Sequence, residues 1–262
     1  MEQSQRVVLI SGASRGIGAA TAREMGRRGY HVVANYRQNA DAAAEVVRSI
    51  KAAGGSAQAV RADVCDPEQV SAMLDRIRTD RGRIDALVCN ANTVNPPFEP
   101  LLTLSWDDFI AKVSGELAGA YFLTQSVLRG MAEERRGRIV YVSSTAADSI
   151  GTVAAHSTAK AALNTFSRHV AGVAAQYGVV VNTVAFGAVR TDATAGVMTD
   201  DLRKFMESRS AFGRLLEADE AARSIAMLAD EDFTASVGQV LRVDGGFEVL
   251  DRQLHPMVRH FE

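Results

Sequence analysis

The chain has 262 residues, 47% hydrophobic and 23% charged, with a formal net charge of −2. That length supports one large α/β domain with a full core and is awkward for two. With no basic or acidic block, the charge balance argues against a nucleic-acid or anionic-membrane partner. The longest apolar runs fall well short of the roughly 20 residues a membrane span needs. Cys65 and Cys89 stand far apart, without a Cys-x-x-Cys pair or clustered histidines. No metal site is therefore expected, and a reduced cytoplasmic protein fits. Met1 to Arg6 is polar and lacks the apolar core of a signal peptide.

Short β-branched runs alternate with long helical stretches. Val7–Ile10, Val32–Asn35, Ala57–Arg61 and Ile84–Cys89 read as strands, and so do Arg138–Ser143, Val179–Val184 and Gln239–Val243. Helices are expected over Gly16–Arg28, Asp41–Ala53, Pro67–Arg78, Ser105–Met131, Ala155–Gln176 and Glu220–Ala229. Pro67 suits a first helical turn, and Ser105 a cap ahead of Asp107 and Asp108. The strands are continuous apolar runs, as expected when helices cover both faces. The order predicts a single α/β domain with a doubly wound parallel sheet, the Rossmann arrangement, over 1–247, followed by a tail over 248–262. Ligands then belong beyond the carboxyl ends of the strands, near Ser11, Asn35, Asp63, Asn90, Ser143 and Ala185.

After the first strand comes Ser11-Gly12-Ala13-Ser14-Arg15-Gly16-Ile17-Gly18, opening into a helix. Glycines let backbone approach a pyrophosphate, and the helix N-terminus offers unpaired N–H groups. The placement between first strand and first helix is what makes the motif specific. The second strand ends in Asn35-Tyr36-Arg37, with no acid to hold a ribose 2′-hydroxyl. Arg37 and Arg15 suit a 2′-phosphate instead, so NADP(H) is the expected cofactor. Asp63, ending the third strand, is placed to accept from the adenine amino group or simply to shape the turn before Pro67.

These residues resemble the short-chain dehydrogenase/reductase family over nearly the whole chain, Arg6 to about Phe247, in the branch of 3-oxoacyl carrier-protein reductases and polyketide ketoreductases. The resemblance rests on the Ser11–Gly18 loop, Asp63-Val64, Leu87–Ala91 and Ser143-Ser144. It is extended by Lys160, Asn182 to Thr191, Gly238-Gln239-Val240 and Val243-Asp244-Gly245-Gly246. It implies cofactor contacts from Gly12, Ser14, Arg15, Gly16, Ile17, Gly18, Arg37, Asp63, Val64, Asn90, Ala91, Lys160, Gly187, Val189 and Thr191. It also implies a catalytic serine, tyrosine and lysine, with a helix asparagine holding a relay water.

The carry-over is partial. Ser144 matches the serine, with Ser143 a rival because Ser144 lies one residue closer to His156 than the pattern expects. Lys160 matches the lysine. His156 stands where the tyrosine belongs, and Glu116 where the asparagine belongs. Asn92 replaces a glycine, and Phe186 precedes Gly187 in place of a proline. The departures cluster where substrate and proton would be handled. As an imidazolium, His156 would protonate a developing alkoxide. Nearby Lys160 would favour its neutral form. Trp106, Phe109, Val113, Leu117, Ala120, Tyr121 and Thr124 mark an expected buried stripe, and Glu116 falls on it. A buried carboxylate needs a partner, with Lys160 or His156 at hand. Glu116 is expected either to restore charge to His156 or to deliver the proton itself.

A segment over about 188–214 resembles the family's substrate lid. Its Val197, Met198, Leu202, Phe205 and Met206, with Phe98, Phe186 and Phe212, suggest a bulky apolar carbonyl substrate, such as a polyketide intermediate. A homo-oligomer, tetramer or dimer, is implied by the resemblance, with Gly115, Ala118 and Gly119 permitting close helix contact. The leading expectation is an NADPH-dependent ketoreductase with a non-standard proton donor. The alternatives are a non-redox dehydratase, cyclase or isomerase on the same scaffold, or a non-catalytic NADP-binding partner subunit.

Overall fold

The computed structural model describes residues 5–148, 153–191, 198–247 and 249. Strands β1 (Val7–Ile10), β2 (His31–Tyr36), β3 (Ser56–Arg61), β4 (Ala86–Cys89), β5 (Gly137–Ser144), β6 (Val179–Phe186) and β9 (Val240–Val243) form one parallel sheet in the order 3-2-1-4-5-6-9. The order reverses between β1 and β4, which opens the crevice where ligands bind in such sheets. A two-residue ladder joins β7 (Val189–Arg190) to β8 (Leu216–Glu217), pairing Val189 with Leu216 at the base of the expected lid.

Two cores follow from strand alternation, because successive side chains point to opposite faces. Val8, Ile10, Val32 and Val140 pack with Met25 of α1 (Gly16–Arg27), Ile50 of α2 (Ala40–Ala52) and Ile225 of α7 (Ala218–Leu228). Val7, Leu9, Leu87 and Ile139 face the other way. They meet Leu74 of α3 (Pro67–Arg81), Leu123 of α4 (Trp106–Glu133) and Leu163 of α5 (Ala154–Ala174). Ser105 caps α4 by accepting from the Asp108 N–H at 3.1 Å, and Asp66 caps α3 ahead of Pro67.

Three expectations need correction. The buried stripe of α4 is Lys112, Glu116, Gly119, Ala120, Leu123, Thr124, Val127 and Met131, of which Glu116, Ala120 and Thr124 were expected. Trp106 is 68% exposed and stacks on Phe109 at the surface, and Tyr121 is 45% exposed. Apolar side chains lie on both flanks of this helix, so periodicity alone did not select the face that packs. Gly115 and Gly119 serve contacts inside the chain. A Cβ on Gly115 would lie 2.8 Å from Val94, and one on Gly119 2.9 Å from Val64. Finally, Phe186 is core, packed with β1 and α7, while Phe98 and Phe212 are exposed.

Within the lid, Val197 lies outside the described residues. Thr199 caps a helix, α6 (Asp200–Arg209), that buries none of its residues and exposes Leu202 and Phe205. The tail from 250 onward is also outside the described residues.

Candidate active site

The glycine loop is held open by its neighbours. The Ser11 hydroxyl accepts from the N–H groups of Asn90 and Ala91 at 2.9 and 3.0 Å, which ties β1 to β4. The Asn90 amide donates to the carbonyls of Ser11 and Gly12. Asn35 works from the other side: the Ala13 N–H donates to its carbonyl at 2.8 Å, and its side-chain amide donates to the Ala62 carbonyl at 3.1 Å. The structural role of Asn35 was not foreseen, although its place at a strand end was.

Gly12 has φ +65°, and a Cβ there would come within 2.9 Å of the Ala91 Cα. A Cβ on Gly18 would lie 2.3 Å from the Gly12 carbonyl oxygen. Thr191 borders the same loop, 3.5 Å from where a Gly16 Cβ would be. Ser14, Arg15 and Ile17 complete the turn into α1, with Arg15 exposed at its N-cap. Backbone N–H groups, a helix N-terminus and a cradle that side chains would fill together fit a dinucleotide pyrophosphate.

At the ends of β2 and β3, Arg37 stands 3.7 Å from Asp63, and the Asp63 carboxylate also accepts from the Cys65 N–H at 3.0 Å. Asp63 therefore shapes the turn and faces Arg37 at once. Val64 and Val189 are buried in the core. The Gly187 N–H donates to the Val243 carbonyl, and a Cβ there would meet Asp244.

The second half of the site lies where α4 and α5 pack beside β5. Lys160 donates to the Val142 carbonyl at 2.9 Å and to Glu116 Oε1 at 2.5 Å. The other carboxylate oxygen of Glu116 accepts from Lys112 at 2.7 Å. Lys112 is fully buried, and its remaining two N–H groups go to Asn92 Oδ1 at 2.6 Å and the Val94 carbonyl at 3.0 Å. One carboxylate thus sits between two ammonium groups. Burial alone would raise the Glu116 carboxyl, but Lys160 and Lys112 override it and hold it at about 2. The same burial pulls the Lys112 ammonium down, opposed by Glu116.

His156 lies in the first turn of α5, with Nδ1 buried and unpartnered among the described residues. Burial, then the charges of Lys160 and Lys112, lower its imidazole to about 4. Two expectations change as a result. Glu116 finds its partner in Lys160, as anticipated, but stays ionised and has no proton to deliver near neutral pH. Nor does it restore positive charge to His156, because burial and the two lysine charges together outweigh its effect.

The two serine candidates separate clearly. Ser143 is buried, with its hydroxyl unpartnered among the described residues. Ser144 is half-buried at the end of β5, where its hydroxyl accepts from the Ala146 N–H. Lys112 was missed altogether. Its signal was present, because it stands four before Glu116 and three after Phe109 on the same helix.

The family model described as enoyl-(acyl carrier protein) reductase matches residues 12–248. Cis-4-hydroxycyclohexanecarboxylate dehydrogenase of Sinomonas cyclohexanicum is 37% identical over 251 residues, covering 93% of this chain and 97% of that protein. A 3-oxoacyl-[acyl-carrier-protein] reductase of Synechocystis is 36% identical, with 92% and 96% covered. A solved structure described as ribose-5-phosphate isomerase of Brucella melitensis is 28% identical with a TM-score of 0.86, covering 97% of each chain. With its sheet order, glycine cradle and Lys160 all in place, the chain belongs to the short-chain dehydrogenase/reductase family of oxidoreductases acting on CH–OH and C=O groups.

Proposed function

We propose that the protein is an NADPH-dependent reductase of a carbonyl compound in which a neutral histidine takes the usual tyrosine's place. The observation that carries this reading is the Lys160 ammonium. Glu116 and Val142 occupy two of its three N–H groups, and the third has no partner among the described residues. An ammonium has three donors and no acceptor, so one remains for a ribose hydroxyl. The bound nicotinamide supplies the hydride. Arg15 and Arg37 supply guanidinium forks for a 2′-phosphate, with no acid at the end of β2 to favour the bare ribose.

His156, neutral at pH 7, donates a hydrogen bond to the substrate oxygen and polarises it; neutral imidazoles elsewhere serve as electrophiles in this way. Ser144 is the second donor, at the open end of β5. The alkoxide formed takes its proton finally from solvent. An apolar, bulky substrate is supported by the exposed Leu202 and Phe205 of α6, which give the lid an uncovered apolar face. Cytoplasmic residence and a homo-oligomer, dimer or tetramer, belong to the same reading.

The test is calorimetric titration with NADPH and NADH, followed by a screen of cyclic, acyl-chain and aromatic ketones for NADPH oxidation. Tight NADPH binding with stoichiometric oxidation is expected. Product formation without cofactor turnover would replace it with the non-redox reading. Activity only with an added protein would favour the partner-subunit reading.

A further inference from the structure

We infer that Lys112 is a positioning residue of this site, holding Glu116 against Lys160 and thereby aiming the lysine that receives the cofactor's ribose. The inference rests on the reductase reading above. Lys112 is fully buried, so it touches no ligand from solvent. All three of its donors are spent within the chain, on Asn92, Val94 and Glu116. Two of those partners belong to the loop between β4 and α4, and the third lies one helical turn away on α4. The ammonium is therefore fixed from two directions.

Burying a charge at such a point is costly, and an apolar side chain of similar volume is often neutral or better for stability. Packing alone does not explain a lysine here. Its effect falls on Glu116, whose two oxygens are divided between Lys112 and Lys160. Without Lys112, one carboxylate oxygen loses its partner and the group is free to rotate about its last bond. Lys160 would then lose the fixed acceptor that orients its open N–H. The charges that act on His156 are those of Lys160, Lys112 and Glu116, two cations against one anion. Lys112 is thus also the cation that makes this cluster net positive.

Two measurements on the full chain test this. The first is a nuclear magnetic resonance titration of the His156 imidazole, assigned with His156→Gln, in the wild type, Lys112→Met, Lys112→Arg and Glu116→Gln. Lys112→Met removes a cation and moves the midpoint up from about 4, while Glu116→Gln removes an anion and moves it down. Lys112→Arg keeps the wild-type value. A merely structural role would send Lys112→Met and Glu116→Gln in the same direction, toward the ordinary 6.5 of an exposed imidazole, and would overturn the inference.

The second is the affinity for NADPH. It falls about tenfold in Lys112→Met and is rescued by Lys112→Arg. An unchanged affinity in Lys112→Met overturns the positioning role. Should the wild type bind neither NADPH nor NADH, the reductase reading fails. The opposed shifts at His156 then decide alone whether Lys112 governs the cluster.

Discussion

The Arg37 guanidinium stands 3.7 Å from the Asp63 carboxylate at the open ends of β2 and β3. Both side chains are partly exposed, so the pair is weak and a 2′-phosphate can recruit the guanidinium. Replacing Arg37 with alanine should weaken NADPH binding about tenfold or more and leave NADH nearly unchanged. Equal losses for both nucleotides would remove Arg37 from cofactor discrimination. Calorimetry with each nucleotide reads the difference directly.

The glycine cradle makes a second, steric prediction. A Cβ at Gly18 would lie 2.3 Å from the Gly12 carbonyl oxygen and 2.5 Å from the Asn90 amide. Gly18→Ala should therefore push the loop apart and lower stability by about 1–3 kcal/mol. Dinucleotide binding should be lost with it. Thermal unfolding and nucleotide titration on the same preparation check both parts, and retained affinity would show that this loop does not bind the pyrophosphate.

At His156 the prediction concerns both rate and pH. With the imidazole held at about 4, His156 is neutral from pH 5.5 upward. Turnover should then show no step between pH 5.5 and 8 that His156→Phe abolishes. The substitution itself should cost about 100-fold in kcat, the low end of what such a donor contributes. A wild-type step near pH 6.5 that disappears in the variant would restore the imidazolium as the acid.

Acid stability follows from three buried groups. His31 and His156 are both held at about 4 in the folded chain, from an ordinary 6.5. The unfolded chain takes up protons that the fold excludes. Their contribution is thus complete above pH 6.5 and declines as pH falls toward 4, by about 1.4 kcal/mol per pH unit for each histidine. Glu116, held at about 2 against an ordinary 4.5, adds a further loss as pH drops from 4.5 toward 2. Urea unfolding at pH 7.5, 6.0 and 5.0 should show a falling midpoint. A midpoint constant over that span would mean that neither histidine is neutral for the reason given.

The parallel sheet, its element order and the nucleotide loop were legible in the sequence because local rules suffice for them. Apolar runs of strand length, helix caps such as Ser105 and a glycine triplet between β1 and α1 are all written in adjacent residues. Lys160 and the misfit at His156 were legible for the same reason, as positions in a short pattern. The face of α4 was legible only in part: Glu116, Ala120 and Thr124 lie on the buried stripe as expected, whereas Trp106 and Tyr121 do not. Apolar side chains flank that helix on two sides, and only its packing against Val64, the loop after β4 and α5 buried Lys112 rather than Trp106. Of the two partners of Glu116, Lys160 was anticipated and Lys112 was a tertiary decision. Lys160 is 44 residues away, and the Asn92 that anchors Lys112 is 20 residues from it. At this site the sequence set which charges were present, and the fold set which became buried, paired and ionised.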